Sequence, residues 1–372
     1  MAGTYRLILK RSFIFLNGLT AVIFLLTCLA PYLNPTQWWF FSILGLGFAF
    51  ILILLFGFLL FWLFVSPRFI FISLIALAIG WKSLASFFGF DISGAYDLRK
   101  EKGSIRVASW NVARFIELMR NNNKGSQTRL KMLDLIKAQK ADVLCMQEFY
   151  QSTDSSRYNN IKYIQEKLGY RYYYFCWDGD GDKQWFGQII FSRYPIVDSG
   201  KINYPRPSQP ESLLYADVLY KGDTIRFYTT HLQSVQFKKQ DFESIEEIKN
   251  REDSILENSK SIFSKLKRGI IYRSRQAKIV KEATRQSPHP YVITGDFNDV
   301  PNSYTYFTIR GELQDAFLEK GFGIGRTYSG LSPTLRIDYI LPTHDFTVKQ
   351  FNRVVRDYSD HYLLVADLEL KK

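Results

Sequence analysis

From Ser12 to Pro67 the chain runs for 56 residues without a charge, and such a run has no place in the core of a soluble protein of this size. One helical bilayer span needs about 20 apolar residues. Ser12–Leu33 and Trp39–Val65 both reach that length. Pro31, Asn34 and Pro35 break the helix between them, and Trp38-Trp39 falls where an interfacial aromatic belt belongs. Phe69–Trp81 is apolar, Lys82 interrupts, and Ser83–Phe90 is apolar again. A lysine near a helix end can snorkel, so 69–90 reads as a third span, with a helix lying in the interface as the alternative. A cleaved signal peptide fits poorly, because the run is too long and a second follows at once.

The pattern changes after a short linker, 91–103. Short apolar runs then alternate with helical periods. Strands are expected at 105–109, 142–146, 188–191, 214–219, 224–230, 291–294, 337–341 and 362–370. Helices are expected at 128–140 and 158–168, and a long charged helical stretch at 241–285. The mixture predicts a mixed-sheet α/β domain of 104–372 covered by helices, behind an all-α transmembrane region of 1–90 (about 12–33, 39–65 and 69–90).

Charge sharpens the division. Of 48 Lys+Arg and 35 Asp+Glu among 372 residues, the first 90 hold five basic groups and no acid. The other 282 carry +8. This excludes a simple soluble protein, a disordered chain and a disulfide scaffold. Arg6, Lys10, Arg11 and Arg68 predict a cytoplasmic N-terminus in a multi-pass protein of the cell (inner) membrane. Three spans then put the C-terminal domain outside the cytoplasm, and two put it inside. Arg99, Lys100 and Lys102 pull inward, but the three-span arrangement is adopted here. Cys28, Cys145 and Cys176 lack metal-ligand spacing and read as buried small apolar residues, with a Cys145–Cys176 bridge left open.

Candidate chemistry gathers at strand ends. Trp110-Asn111, Gln147-Glu148, Thr230-His231 and Gly295-Asp296-Phe297-Asn298 follow expected strands. Asp338 lies in Arg336-Ile337-Asp338-Tyr339, and Ser359-Asp360-His361 precedes the last strand. Taken singly, each is an ordinary turn or surface group. Taken together they would place four carboxylates, the amides of Asn111 and Asn298, and two imidazoles on one rim, where sites of α/β folds usually lie. Carboxylate and amide oxygens suit Mg²⁺ or Mn²⁺ rather than zinc. A hard divalent ion with histidines at hand is a kit for phosphoester hydrolysis. His289 and His344 lie among prolines and turns and read as solvated.

The order Ser109-Trp110-Asn111-Val112, Gln147-Glu148, Ser192-Arg193-Tyr194-Pro195, His231-Leu232, Gly295-Asp296-Phe297-Asn298, Ile337-Asp338-Tyr339-Ile340, Ser359-Asp360-His361 resembles the endonuclease/exonuclease/phosphatase superfamily over about 104–370. The resemblance implies a four-layer αββα sandwich and divalent-metal phosphoesterase chemistry. It implies Glu148 as principal metal ligand, with Asn111 close by and Asp360 in the metal shell. Asp296 would orient or activate water, and Asn298 would hold the phosphate. Asp338 and His361 would form a dyad, with His361 on the scissile phosphate, and His231 would assist the leaving group. Ala113 stands where apurinic endonucleases of the superfamily carry an acid, and they lack a counterpart of His231. The chain therefore looks closer to the branch of deoxyribonuclease I, neutral sphingomyelinases and inositol polyphosphate phosphatases. No acidic partner for His231 is evident near Gly187-Gln188.

The substrate stays open between nucleic acid and a phospholipid or small phosphoester. Lys238, Lys239, Lys265, Lys267, Arg268, Arg273 and Arg275 offer positive charge, though a solvated helix face accounts for most of them. Tyr170, Tyr172, Tyr173, Tyr174, Phe175 and Trp177 form an aromatic cluster expected mostly in the core. Tethering to a bilayer raises the effective concentration of lipid headgroups. An inactive membrane-bound scaffold of the same fold is the alternative function, and a transporter is a third. No obligate protein partner is inferred.

Overall fold

The computed structural model describes residues 2–92, 96–115, 124–205, 211–235 and 255–371. The chain forms two compact units. One comprises Met1–Phe87, Val235–Ser274 and Val300–Thr308, and the other Phe88–Ser234, Arg275–Asp299 and Ile309–Lys372.

The first unit is built on α1 (Ala2–Thr27), α2 (Pro35–Leu46), α3 (Phe48–Val65), α4 (Ile70–Ile79) and α5 (Trp81–Phe87). Two helices, Tyr5–Thr27 and Phe48–Val65, are long and apolar enough to cross a membrane. Pro67–Ile79 and Trp81–Phe87 form a further apolar pair bent by 71°. The boundaries differ from those expected. The first helix runs through Arg6, Lys10 and Arg11, which are good helix formers, and ends at Thr27 rather than Leu33. The stretch 39–65 divides at Gly47. The stretch 69–90 is no single straight helix, because it bends at Gly80, where a Cβ would come within 2.4 Å of the Phe24 ring. Buried Ser73 donates to Asn17 Oδ1 at 3.0 Å, tying α4 to the middle of α1.

The second unit contains β1 (Gly89–Phe90), β2 (Ile105–Asn111), β3 (Val143–Ser152), β4 (Tyr172–Phe175), β5 (Asp178–Gly179), β6 (Gln184–Ser192) and β7 (Ile196–Asn203). It continues with β8 (Ser212–Tyr220), β9 (Asp223–His231), β10 (Tyr291–Asp296), β11 (Phe322–Gly323), β12 (Asp338–Pro342), β13 (Phe346–Val354) and β14 (Leu363–Leu370). One sheet has the order β12-β10-β9-β8-β7 and the other β13-β14-β2-β3-β6-β4, with β5 on β6. Val107, Cys145 and Ile190 of one sheet share a buried cluster with Ala216, Phe227 and Val292 of the other, so the sheets pack face to face. Helix α6 (Lys124–Gln139) adds Met132, Leu133 and Ile136 to that cluster. On the other side Tyr228 OH donates to the carbonyl of Ala283, in the long helix Ile255–Arg285. The result is a four-layer α/β sandwich.

Six strands went unforeseen: the two-residue β1, β5 and β11, of which β1 lies in the expected third span and pairs with β11, and the longer β4, β7 and β13. β7 and β13 lie at sheet edges and are mostly half-exposed, which dilutes their apolar signal. β4 lies inside the aromatic cluster, where Tyr170 and Phe175 are buried and Tyr172 and Trp177 exposed. Only Asn160–Tyr163 of the helix expected at 158–168 is α-helical, and Ile164–Leu168 continues as a wider π turn. The first part of the stretch expected at 241–285, with Lys238 and Lys239, lies outside the described residues. Cys145 and Cys176 are separate buried thiols. Asp97 and Leu98, in the expected linker, give their carbonyls to the buried Arg106 guanidinium, which pairs with Asp367 at 2.6 Å.

Candidate active site

Topology brings the strand ends to one rim. β2 and β3 are parallel neighbours with Asn111 opposite Gln147. β9 and β10 are parallel with His231 opposite Asp296, and antiparallel β12 sets Asp338 beside Asp296. β14 runs antiparallel to β2, so His361, just ahead of it, reaches the same edge. Beneath the rim, buried Gln147 donates to Thr229 Oγ1 at 2.8 Å and locks the two sheets together.

Local backbone departures aim the side chains. β3 carries one extra residue against β6 between Met146 and Phe149, and this bulge puts Glu148 at φ 49°. Gly295 pairs with Thr230 at φ 139°, and a Cβ there would lie 2.0 Å from the Thr230 carbonyl oxygen. Only glycine fits, which is why it precedes Asp296. Asn298 has φ 52°, and Ala113, Arg114 and Phe115 have φ 43°, 56° and 54°. Left-handed non-glycine residues cost about 1–3 kcal/mol each and concentrate at functional sites.

Asp296 Oδ2 is the hub. Asn111 Nδ2 donates to it at 3.1 Å and to Glu148 Oε1 at 3.2 Å. His231 Nε2 lies 3.6 Å from Asp296 Oδ2 and 3.8 Å from Glu148 Oε1, and His361 Nε2 lies 3.5 Å from Asp296 Oδ2. His361 Nδ1 is 2.9 Å from Asp338 Oδ2. Trp110 Nε1 donates to the His361 carbonyl at 2.8 Å, and Ser359 Oγ to the Asn111 carbonyl at 2.8 Å, which fastens the last motif to β2.

The charges are strongly coupled. Burial disfavours the His361 imidazolium, but Asp338 and Asp296 outweigh it and raise the pKa to about 10. Burial pushes Asp338 up to about 6, against the pull of His361. The raised His361 value keeps a proton on the pair at neutral pH, and we place it on the imidazole, between two carboxylates. His231 is also raised: burial opposes, while Asp296, Glu211 and Glu148 favour the imidazolium. Burial raises the Tyr328 hydroxyl to about 12.

Asn111, Glu148, His231, Asp296, Asp338 and His361 thus converge. Two expected groups are placed differently. Asp360 is exposed, with Oδ1 3.2 Å from Ser359 Oγ, beside the convergent group rather than within it. Asn298 gives its backbone N–H to Asp296 Oδ1 at 2.8 Å and one side-chain N–H to the Leu232 carbonyl at 2.9 Å. It braces the ends of β9 and β10. Asn111 turns Oδ1 to the Ala113 N–H at 3.0 Å and so offers its amide nitrogen to the carboxylates.

Sequence reading missed Glu211 and Tyr328. Leu213 is opposite Thr230, so buried Glu211 comes alongside His231 and supplies the acidic neighbour that Gly187-Gln188 lacks. Gln276 Nε2 donates to Glu211 Oε2 at 3.3 Å. Its position just ahead of a strand beside β9 was the one available signal. The Tyr328 ring lies 4.9 Å from the His361 ring, and nothing in the sequence marks it.

The donor set fits a hard divalent cation, since it is dominated by carboxylate oxygens. Among the described residues, ligand atoms of buried Asp296, Asp338 and His361 all lie within 4.8 Å of one another. Arg114, Glu148, Phe186, Gly187, Gln188, Glu211, His231 and Ser234 line an open cleft beside the hub.

Comparison with known proteins agrees with this geometry. The model of the Endonuclease/Exonuclease/phosphatase family matches residues 108–361, more than half of the chain. A second model, described as a domain of unknown function (DUF8431), matches residues 10–87. No curated protein matches. Among solved structures, an endonuclease/exonuclease/phosphatase from Beutenbergia cavernae has 19% identity and a TM-score of 0.53, covering 73% of this chain and 72% of that one. One from Bacteroides vulgatus has 19% identity and a TM-score of 0.52, covering 73% and 100%. D. rerio TDP2 complexed with single strand DNA product has 17% identity and a TM-score of 0.50, covering 72% and 100%. These likenesses describe the fold, and members of the matched family are in general hydrolases of phosphoester bonds. By that match and by the motifs on its rim, the chain belongs to the endonuclease/exonuclease/phosphatase family.

Proposed function

We propose that this protein is a membrane-anchored, divalent-metal-dependent phosphoesterase that hydrolyses phosphodiester or phosphomonoester bonds by attack of water. The observation that carries the reading is the convergence of Asn111, His231 and His361 on Asp296 Oδ2, at 3.1 to 3.6 Å, with Asp338 behind His361. Glu148 would hold Mg²⁺ or Mn²⁺, and Asp360 and Asn111 would join its shell only by turning their side chains from the orientations described above. When bound, the ion polarises the phosphoryl oxygen and neutralises developing charge.

The remaining roles belong to the chain itself. Asp296 orients the attacking water and takes up its proton. His361, kept protonated by Asp338, offers Nε2–H to a phosphoryl oxygen. His231, whose imidazolium is favoured by Glu211, Glu148 and Asp296, delivers a proton to the leaving oxygen. Asn298 keeps the Asp296 loop in place and directs its remaining amide donor toward the phosphate.

The apolar helices of the first unit support anchoring in the cell membrane, with three spans and an extracytoplasmic catalytic domain as the proposed topology. Candidate substrates are nucleic acid and membrane phosphoesters. Full-length protein in detergent, with Mg²⁺ or Mn²⁺, should hydrolyse at least one of plasmid DNA, RNA, a generic phosphodiester or a phospholipid panel. Glu148→Gln should reduce that turnover to background while leaving the unfolding temperature unchanged. Silence on every substrate from folded, metal-binding protein would overturn the reading in favour of an inactive scaffold.

A further inference from the structure

The turn after Asn111 is pinned at both ends. Its three consecutive left-handed residues, Ala113, Arg114 and Phe115, form a conformation that L side chains adopt only when their surroundings demand it. At one end Asn111 Oδ1 accepts the Ala113 N–H. At the other the Phe115 N–H closes onto the Val112 carbonyl at 2.7 Å. The Phe115 ring is fully buried and edge-on to Phe149, with centroids 5.6 Å apart. Ala113 presents only a methyl group. Arg114 is therefore the residue this turn delivers to the cleft.

Its guanidinium is oriented on two sides. It lies 4.0 Å over the Phe186 ring, and Nη1 donates to Asp180 Oδ2 at 2.8 Å. Among the described residues lining the cleft, Arg114 is the one arginine or lysine, and it shares that lining with Glu148 and Glu211. Those carboxylates would repel any second anionic group on a substrate unless a cation met it.

We infer that Arg114 forms an anion subsite beside the catalytic rim, taking a second phosphate that the substrate carries next to the scissile one. This rests on the phosphoesterase reading above and narrows its substrate class. A planar guanidinium fork matches phosphate oxygens in bidentate fashion, and stacking on Phe186 sets the plane of the fork in advance. Asp180 is the more exposed partner, at 36% against 21% for Arg114. Half-solvated pairs of this kind are weak, so Asp180 holds the fork until an anion replaces it.

The test uses full-length protein in detergent with Mg²⁺ and compares equilibrium binding of mono- and bisphosphates. One pair is thymidine 5′-monophosphate and thymidine 3′,5′-bisphosphate, and the other is inositol 1-phosphate and inositol 1,4-bisphosphate. Wild type should bind the bisphosphate of one pair at least tenfold more tightly than its monophosphate. The pair that shows the margin identifies a nucleotide or a lipid-headgroup source. Arg114→Gln should remove the margin, and Arg114→Lys, which keeps the charge but not the fork, should retain only part of it. A margin unchanged in Arg114→Gln, an equal loss for mono- and bisphosphate, or no margin in either pair would overturn the subsite. Turnover of phosphodiesters is scored separately: its absence counts against the phosphoesterase reading, while the binding margin alone decides the subsite.

Discussion

His361 Nδ1 and Asp338 Oδ2 lie 2.9 Å apart, both buried, although 23 residues separate them in the chain. The contact exists because Asp338 opens β12 in one sheet while His361 precedes β14 in the other, and the packing of the sheets brings those ends together. It fixes the ring so that Nε2 faces Asp296. An oriented, charged imidazole at the hub is the central electrostatic feature of the site.

Removing that carboxylate should release the imidazole proton. Asp338 raises the His361 pKa, so Asp338→Asn should move it down from about 10 toward the ordinary histidine range. The measurement is an NMR titration of the ring nitrogens in metal-free protein. Turnover near pH 7 should fall by about 10²-fold or more, the usual scale for a general acid or its orienting partner. An unmoved titration would show that Asp338 does not govern the ring.

Glu211 should act through His231 rather than on substrate. Glu211→Gln should lower kcat by about 10- to 100-fold, the scale seen when an orienting partner is lost, with KM little changed. Because Glu211 favours the imidazolium, the His231 limb of the pH–rate profile should move to lower pH. A raised KM with an unshifted limb would assign Glu211 to substrate contact instead.

Asn302 tests the packing of the first unit. It is fully buried, and Nδ2 donates to the Thr27 carbonyl at the end of α1 at 3.0 Å. Asn302→Ala leaves that carbonyl without this donor, at a cost of about 1–3 kcal/mol. Gly45→Ala should also destabilise, since its Cβ would lie 2.8 Å from Ala30 Cβ and 3.0 Å from the Asn302 carbonyl oxygen. Thermal unfolding in detergent reads both, and unchanged midpoints would contradict this packing.

Topology is open to a direct assay. A C-terminal tag should be digested by protease added to intact spheroplasts if the bent pair at Gly80 completes a third span. Protection of the tag, with digestion only after lysis, would place the catalytic domain in the cytoplasm.

Much of this architecture was legible in the amino-acid sequence. An uncharged run of 56 residues is a solvent statement, since no ordinary soluble core accommodates it. Central strands such as β2, β3 and β10, covered on both faces, leave apolar runs that read clearly. The half-exposed edge strands β7 and β13 leave a mixed pattern and went unseen.

The site divides along a similar line. Asn111, Glu148, His231, Asp296, Asp338 and His361 stand out because each terminates or adjoins an apolar strand, so local order in the chain already assigns them to a rim. Whether Asp360 joins the hub, which way the Asn111 amide faces, and which acid attends His231 depend on register, bulges and the stacking of two sheets. Glu211 reaches His231 only because β8 pairs antiparallel with β9, and Arg114 lines the cleft from a left-handed turn whose next residue, Phe115, is buried. Composition and periodicity report the average surroundings of a residue, and they settled the classes of groups at the rim. Distances of 3 Å between strands far apart in sequence arise from cooperative packing, and these tertiary structure alone could supply.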